Sequence, residues 1–280
     1  MKIQSFYDQN TATYTYIVID DQTNRCAIID PVLDYDQFAG RIFYNSISKV
    51  FDFIKEHNLK IDWILETHIH ADHFTAATHI KKNIGGKIAI GEHVKQVLDF
   101  WVPIFNSDID PDAKCFDHLL KDGEIIKIGN LEARVIHTPG HTPACVSYLI
   151  EDHLFVGDTI FMPYVGTARA DFPGGSAKDL YLSIQKIFNL VDDTKIHVGH
   201  DYPLEKEKPQ STSTVAIQKA KNVMISKNTT LEDFVAIRNK ADANKSVPKL
   251  LIPALQFNLR AGALGQPEQN GLYYIKIPIN

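Results

Sequence analysis

The sequence predicts a layered protein of mixed strands and helices, an α/β (α+β) architecture, because two hydrophobic patterns alternate along its 280 residues. Short runs rich in β-branched and aromatic residues are typical of strands in a sheet. Longer segments with apolar residues three and four positions apart are typical of helices that cover a sheet. The composition agrees, since 44% hydrophobic and 22% charged residues are ordinary for a folded domain.

Eight runs have the composition of strands: residues 14–19, 26–29, 61–65, 87–90, 131–136, 145–150, 154–156 and 195–198. Two segments have apolar residues at helical spacing, within residues 41–57 (Ile47, Val50, Phe51 and Ile54) and later at Leu180, Ile184, Ile187 and Phe188. Thr229 and Glu232 have the spacing of a capping box, which predicts the start of another helix. The proline-containing stretch 248–280 predicts an extended tail.

No internal repeat, low-complexity tract or linker divides the chain. We therefore predict a catalytic core over residues 1–205. Residues 206–280 are predicted to form a C-terminal helical segment and extended tail that pack on this core and are not an independent domain.

The charge pattern, the N-terminal sequence and the cysteines indicate which binding partners and which cellular compartment to expect. The formal net charge is −5 and no block of Lys or Arg occurs, so we expect neither nucleic acid nor an anionic membrane as a partner. A small-molecule substrate is the better expectation, and a homodimer is a common state for soluble enzymes. The N-terminus lacks a signal-peptide pattern, and Cys26, Cys115 and Cys145 form no Cys-x-x-Cys pair, which predicts a cytoplasmic protein with reduced thiols.

The strongest chemical signal directly follows the apolar run 61–65. His68, His70, Asp72 and His73 lie within six residues there. Imidazole and carboxylate are the ligands that zinc and iron prefer. Because side chains alternate along extended backbone, His68, His70 and Asp72 can project together from the end of the strand. This spacing predicts a metal site.

Three more predicted strands end in candidate metal ligands. The run 131–136 leads to His141 on a Pro-Gly turn, the run 154–156 leads to Asp158, and the run 195–198 leads to His200. Each of these alone is more often a turn residue or a satisfied polar side chain. Their joint occurrence favours one site assembled on loops at strand ends.

This ligand series, His68-x-His70-x-Asp72-His73 followed by His141, Asp158 and His200, resembles that of the metallo-β-lactamase superfamily. The resemblance implies an αββα sandwich of two mixed β-sheets flanked by helices. Finer matches resemble persulfide dioxygenases and the bacterial subgroup named β-lactamase-like hydrolases, namely residues 30–35, 166–175, 199–202 and the Asn-x-Arg-x-Gly at 258–262. Many relatives have Gly-Cys-Gly-Arg where this chain has Gly-Thr-Ala-Arg at 166–169.

The resemblance implies one Fe(II) per chain, held by His68, His141 and Asp158. It leaves a second set as surrounding residues or a second metal site: His70, Asp72, His73 and His200. Two imidazoles and one carboxylate leave open positions on iron for a persulfide sulfur and dioxygen. A hydrolase instead uses two metals about 3.5–4 Å apart. Since all seven ligands are present, a dinuclear zinc hydrolase of the glyoxalase II type, acting on glutathione thioesters, remains the alternative.

The implied reaction oxidises glutathione persulfide, or a similar low-molecular-weight persulfide, with O2 to sulfite and the thiol, as in sulfide detoxification. Glutathione carries two carboxylates, so the site needs cations, and Arg169 and Arg260 are the candidates. Structural salt bridges are an equal alternative for both. Asp171 is expected to orient Arg169, and Tyr202 is a further candidate for substrate binding beside the metal.

Overall fold

Two six-stranded sheets form the framework of the computed structural model, which describes residues 1–203 and 207–279. The first sheet has the order β1-β2-β3-β6-β8-β9. Its first three strands are antiparallel, and β3, β6, β8 and β9 then run parallel. The strand bounds are Lys2–Asp8 (β1), Thr13–Asp20 (β2), Arg25–Ile29 (β3), Lys60–Leu65 (β6), Lys87–Gly91 (β8) and His118–Leu120 (β9).

The second sheet has the order β10-β11-β12-β13-β14-β15 and is antiparallel except for the pair β13–β14. Its strands are Ile125–Ile128 (β10), Leu131–His137 (β11), Val146–Ile150 (β12), His153–Phe155 (β13), Lys195–His197 (β14) and Thr212–Thr214 (β15). A small third sheet has the order β5-β4-β7, from Val32–Asp36 (β4), Arg41–Phe43 (β5) and Phe74–Thr75 (β7).

Helices cover the outer face of each large sheet. They are Asn45–Glu56 (α1), Ala77–Ile84 (α2), Val94–Phe105 (α3), Ala177–Phe188 (α4), Val215–Lys221 (α5), Leu231–Asp242 (α6) and Leu251–Asn258 (α7). In the described part of the chain, no helix has the length and apolarity that a bilayer crossing requires.

The alternation of side chains along β2 shows how the layers are built. Tyr14, Tyr16 and Val18 pack between the two large sheets, whereas Ile17 and Ile19 pack under helices on the other face. Because both faces of this strand are covered, all eight residues of β2 are buried, including the polar Thr13, Thr15 and Asp20. The predicted αββα sandwich is confirmed, with one core between the sheets and one under each helical layer.

All eight predicted strands occur, and each strand end is either unchanged or shifted by one residue. The helix expected within residues 41–57 begins only at Asn45, because residues 41–43 form β5. The capping residue of α6 is Thr230, one position later than predicted, and its side chain accepts a hydrogen bond from the Asp233 amide.

The prediction that residues 248–280 are an extended tail is wrong in part. Residues 251–258 form α7, and Pro253 lies in its first turn, where a missing amide hydrogen costs nothing. The predicted boundary between residues 205 and 206 lies outside the described residues. Side chains on both sides of it share cores, since Phe234 packs on the second sheet and Phe257 on the first. The two-part division of the chain stays a prediction.

A buried ion pair fastens α6 to the loop that follows β13. The Arg238 side chain is fully buried and donates hydrogen bonds to both carboxylate oxygens of Asp242, over 2.9 and 2.6 Å. Arg238 also donates to the Thr167 carbonyl, and Asp242 accepts from the Ala170 amide. The pair therefore fixes the backbone on either side of Arg169.

We expect Arg238→Met to lower the free energy of unfolding by about 3–5 kcal/mol, because it leaves the buried Asp242 carboxylate without this cation. Urea denaturation followed by circular dichroism measures the change. The matched control is Lys127→Met, which breaks the exposed ion pair with Glu132 and should cost less than about 1 kcal/mol. Equal losses in the two variants would contradict the structural role given to Arg238.

Candidate metal centre

The predicted ligands come from loops that follow four strands of both large sheets. His68, His70, Asp72 and His73 follow β6 of the first sheet. His141, Asp158 and His200 follow β11, β13 and β14 of the second sheet. The amide of Tyr14 in β2 donates to the Gly199 carbonyl, which joins the sheets beside His200. The site thus lies where one edge of the sandwich brings these loops together.

Gly157 allows two of the ligand loops to approach closely. A Cβ atom at this position would lie 2.3 Å from the Thr67 hydroxyl oxygen, and the residue has a φ of +47°. Both facts favour glycine, which has no Cβ and adopts positive φ without strain. Asp158 and His68 are the next residues along their loops.

The first group of ligand atoms belongs to His68, His141 and Asp158, and all of these atoms lie within 4.8 Å of one another. His141 Nε2 is 3.7 Å from Asp158 Oδ2, while its Nδ1 donates over 2.8 Å to the Arg169 carbonyl. That hydrogen bond leaves Nε2 as the nitrogen free for a metal. These three residues are the ones that the resemblance assigns to iron.

The second group is His70, Asp72 and His73, whose ligand atoms also lie within 4.8 Å of one another. The ring of His70 lies between those of His68 and His73, with centroid distances of 4.1 and 4.2 Å. The side chain of His200 connects the two groups, because its Nε2 is 3.2 Å from Asp158 Oδ1 and 3.5 Å from Asp72 Oδ2. The structure therefore brings the side chains of all seven predicted ligands together in one cluster.

Two buried carboxylates that the sequence analysis did not identify support this site. Asp30 accepts hydrogen bonds from the amide and hydroxyl of Thr67, both over 2.8 Å. His70 Nε2 lies 3.0 Å from Asp30 Oδ1 and 3.2 Å from Glu66 Oε2. A signal was present in the sequence, since Asp30 directly follows a strand and Glu66 directly precedes the histidine motif.

The residues fit a metal ion because buried ligand nitrogens lack any other partner. Within residues 1–203 and 207–279, His68 Nε2, His70 Nδ1 and His73 Nε2 are buried and have no hydrogen-bond partner. Buried polar atoms are rarely left unpaired, and a metal ion would supply the missing interaction. His70 thus has a free nitrogen of its own as well as the two carboxylates that contact Nε2.

The charges of the site favour ionised carboxylates. Burial opposes ionisation of Asp158, but the nearby His200 outweighs it and lowers the pKa of this carboxyl. Burial likewise opposes protonation of His200, but Asp158 and Asp72 outweigh it and raise its pKa to about 9. In the metal-free protein His200 therefore holds a proton at neutral pH, which a metal bound at this ring would displace.

The predicted substrate cations are already ion-paired. Arg169 donates to both carboxylate oxygens of Asp171, over 2.6 and 2.7 Å, and to the Ser246 carbonyl. Its guanidinium also lies 4.9 Å from the ring centre of Phe172, which contacts the His141 ring. Arg169 is thus beside the first ligand group, oriented by Asp171, and a substrate carboxylate would have to share it with Asp171.

Arg260 donates hydrogen bonds to Ser107 and Asp108. Tyr202 is half exposed, and its ring is parallel to that of His200 at a centroid distance of 6.0 Å. The roles of Arg169, Arg260 and Tyr202 in substrate binding stay predictions.

The cysteines are expected to be unreactive in the folded protein. Burial raises the pKa of Cys145, which lies near His141, and that of Cys26 to about 12 each, and the pKa of Cys115 to about 11. At pH 8 a thiol of pKa 12 is ionised in about one molecule in ten thousand.

Iodoacetamide at pH 8 should leave Cys145 and Cys26 unlabelled, as measured by intact mass, and label all three thiols in urea. Rapid labelling of native Cys145 would contradict its assignment as a packing residue.

Comparison with known proteins identifies the family. The model of the metallo-β-lactamase superfamily matches residues 10–200, which span all seven predicted ligands. The chain belongs to the metallo-β-lactamase superfamily. It is 47% identical to glyoxylase B2 of Dictyostelium discoideum, over 100% of this chain and 97% of that protein. It is 46% identical to the β-lactamase hydrolase-like protein of Agrobacterium fabrum, over 99% of this chain but 64% of that longer protein.

More distant similarity connects this superfamily member to persulfide dioxygenases. The chain is 27% identical to the mitochondrial persulfide dioxygenase ETHE1 of Bos taurus, over 95% of this chain and 90% of that protein. The crystal structure of ETHE1 from Myxococcus xanthus superposes with a TM-score of 0.76 at 28% identity, covering 94% of this chain and all of that one. The predicted relationship to both groups is confirmed.

Proposed function

We propose that this protein is an iron-dependent persulfide dioxygenase, with one Fe(II) held by His68, His141 and Asp158. The observation that carries the proposal is the first ligand group itself, two imidazoles and one carboxylate within 4.8 Å. Such a facial set leaves positions for substrate and dioxygen on one ion. The similarity to ETHE1 over nearly the whole chain supports the same reaction.

The proposed reaction converts a persulfide, dioxygen and water into a thiol and sulfite. The terminal sulfur gives up four electrons, which reduce both oxygen atoms of O2, and both atoms become bonded to this sulfur. Water then cleaves the sulfur–sulfur bond, and the thiol leaves with a proton. No external reductant is needed. Bound Fe(II) would supply a site at which the persulfide anion and dioxygen lie side by side.

Residues of this chain prepare the site for that reaction. Asp158 contributes a negative charge, since its pKa is lowered beside His200. The Arg169 carbonyl fixes the orientation of the His141 ring, and Asp30 fixes Thr67, whose hydroxyl lies 3.0 Å from His68 Nδ1. The rings of Phe161 and Phe172 contact His200 and His141 and limit the access of water. We propose that Arg169 and Arg260 attract the carboxylates of glutathione.

A dinuclear zinc hydrolase of the glyoxalase II type is the second candidate. The unpaired nitrogens of His70 and His73 favour it, because they offer a second metal position beside the first. The name of the Dictyostelium relative, glyoxylase B2, also supports a hydrolase of this type. Two metals at hydrolytic spacing would activate a bridging water for attack on a thioester.

Oxygen uptake separates the two candidates. We expect protein loaded with iron under anaerobic conditions to consume O2 when glutathione persulfide is added, in proportion to about one iron per chain. Sulfite should form in equal amount to the oxygen consumed. Cleavage of a glutathione thioester by protein with two zinc ions per chain, combined with no oxygen uptake by the iron form, would instead establish the hydrolase.

Single substitutions test which residues hold the iron. We expect His141→Ala, like His68→Ala and Asp158→Ala, to abolish iron binding and turnover, because each removes one of three ligands. His200→Ala should retain a substantial part of the activity, because it removes a neighbour of Asp158 and not a ligand. Iron content and oxygen uptake are measured on the same samples. If His200→Ala proves as damaging as His141→Ala, the single-iron assignment fails.

A further inference from the structure

A small apolar cavity lies beside the metal centre, where α3 and α7 meet the loop after β6. Ile69 and Ala71 alternate along this loop with the predicted ligands His68, His70 and Asp72. The side chains of Ile69 and Ala71 are buried in the core under the helices, and both line the cavity. The segment that supplies metal ligands therefore also supplies part of an apolar wall.

The cavity borders a residue of the first ligand group. His141 lines it, together with Phe172, whose ring meets the His141 ring edge-on at a centroid distance of 5.1 Å. Helices α3 and α7 contribute Val97, Leu251 and Leu255. Val97 and Leu255 are buried, whereas Leu251 and Phe172 are partly exposed. The cavity is therefore reachable from solvent and adjoins a proposed iron ligand.

The size of the cavity excludes the persulfide. Its volume is about 20 Å³, and one water molecule needs about 10–15 Å³. A site that encloses a ligand of the size of glutathione has a volume of about 300 Å³ or more. Of the reactants in the proposed reaction, dioxygen and water are small enough to enter.

The lining of the cavity disfavours water. Within the described residues, its polar side chains are those of Trp101, His141 and Thr142. His141 Nδ1 donates to the Arg169 carbonyl, and the Thr142 hydroxyl is hydrogen-bonded to Cys145 Sγ over 3.1 Å. A buried water needs about two to four polar partners, whereas apolar cavities stay dry and bind apolar guests such as xenon. The cavity therefore favours an apolar gas molecule over water.

We propose that this cavity is a binding site for dioxygen beside His141, with Val97, Leu251 and Leu255 determining how well oxygen binds. Dioxygen is uncharged, so an apolar site raises its concentration next to the metal centre while excluding the charged persulfide. The use of this oxygen in the reaction rests on the proposed dioxygenase function. The occupancy of the cavity by oxygen does not.

Methyl NMR of the full-length protein under oxygen pressure tests the occupancy. Zinc replaces iron in this sample, so that dissolved oxygen is the paramagnetic species, and nitrogen at the same pressure gives the baseline. We expect oxygen to increase the relaxation rates of the Ile69, Val97 and Leu255 methyl protons several-fold more than those of Val50. Val50 is a buried residue of the same core that does not line the cavity.

Val97→Ile tests the role of the cavity in the reaction, because it adds one methylene to a space with room for little more. In the iron-loaded enzyme we expect kcat/KM for O2 to fall about tenfold, the usual size of the effect of one methylene in an apolar pocket. The value of kcat/KM for the persulfide and the iron content should not change.

Val50→Ile is the matched control, since it adds the same group to α1 in the same core and should leave both values of kcat/KM unchanged. Leu251→Phe is the second variant if Val97→Ile does not fold, because Leu251 is partly exposed and a larger side chain is accommodated more easily there.

Three results would overturn the inference. The first is methyl relaxation in the cavity no greater than at Val50. The second is an unchanged kcat/KM for O2 in the cavity variants, including the case in which only the value for the persulfide falls. The third is an equal loss in Val50→Ile. Absence of oxygen uptake by the unsubstituted iron enzyme would instead contradict the proposed function, and the NMR measurement, which needs no turnover, would still decide whether oxygen occupies the cavity.

Discussion

The rest of the site depends on the hydrogen bonds that the buried carboxylate of Asp30 makes to Thr67 and His70. Asp30 follows β3, in the middle of the first sheet, and reaches the loop after the neighbouring strand β6. The Asp30 carboxylate accepts hydrogen bonds from the amide and the hydroxyl of Thr67 and also contacts His70. These contacts fix the start of the histidine motif. A buried carboxylate is stable only with such partners, so the site and this part of the sheet stabilise each other.

The sandwich architecture explains why ligands distant in sequence meet at one edge. Strands β6, β11, β13 and β14 belong to two sheets, yet the loops after them converge because the sheets pack face to face. Loops held by such a rigid framework are where binding and catalytic residues commonly lie. Asn258, at the end of α7, packs on the loop after β6 and is the hydrogen-bond partner of three of its buried backbone groups.

The two candidate reactions differ in metal number, and the structure relates this difference to particular residues. The first ligand group is held by contacts from Thr67 and Arg169, and the second by contacts from Asn258 and Glu66. Asp30 contacts both groups, through Thr67 and through His70. Fold and ligand identity alone therefore do not determine the chemistry.

The sequence by itself determined the features that depend on local pattern. Strand composition and helical spacing predicted eight strands and three helices, and the ligand spacing predicted seven candidate metal ligands that the structure places close together, because each motif lies at the end of one apolar run. Only the tertiary structure showed that Asp30, Glu66 and Asn258 contact the histidine motif, since a single carboxylate or amide gives no periodic pattern even where, as for Glu66, it adjoins the motif in sequence. It also paired Arg260 with Asp108, because the partner of a charged side chain depends on which segments pack together, whereas the local pair of Arg169 with Asp171 was expected from the sequence.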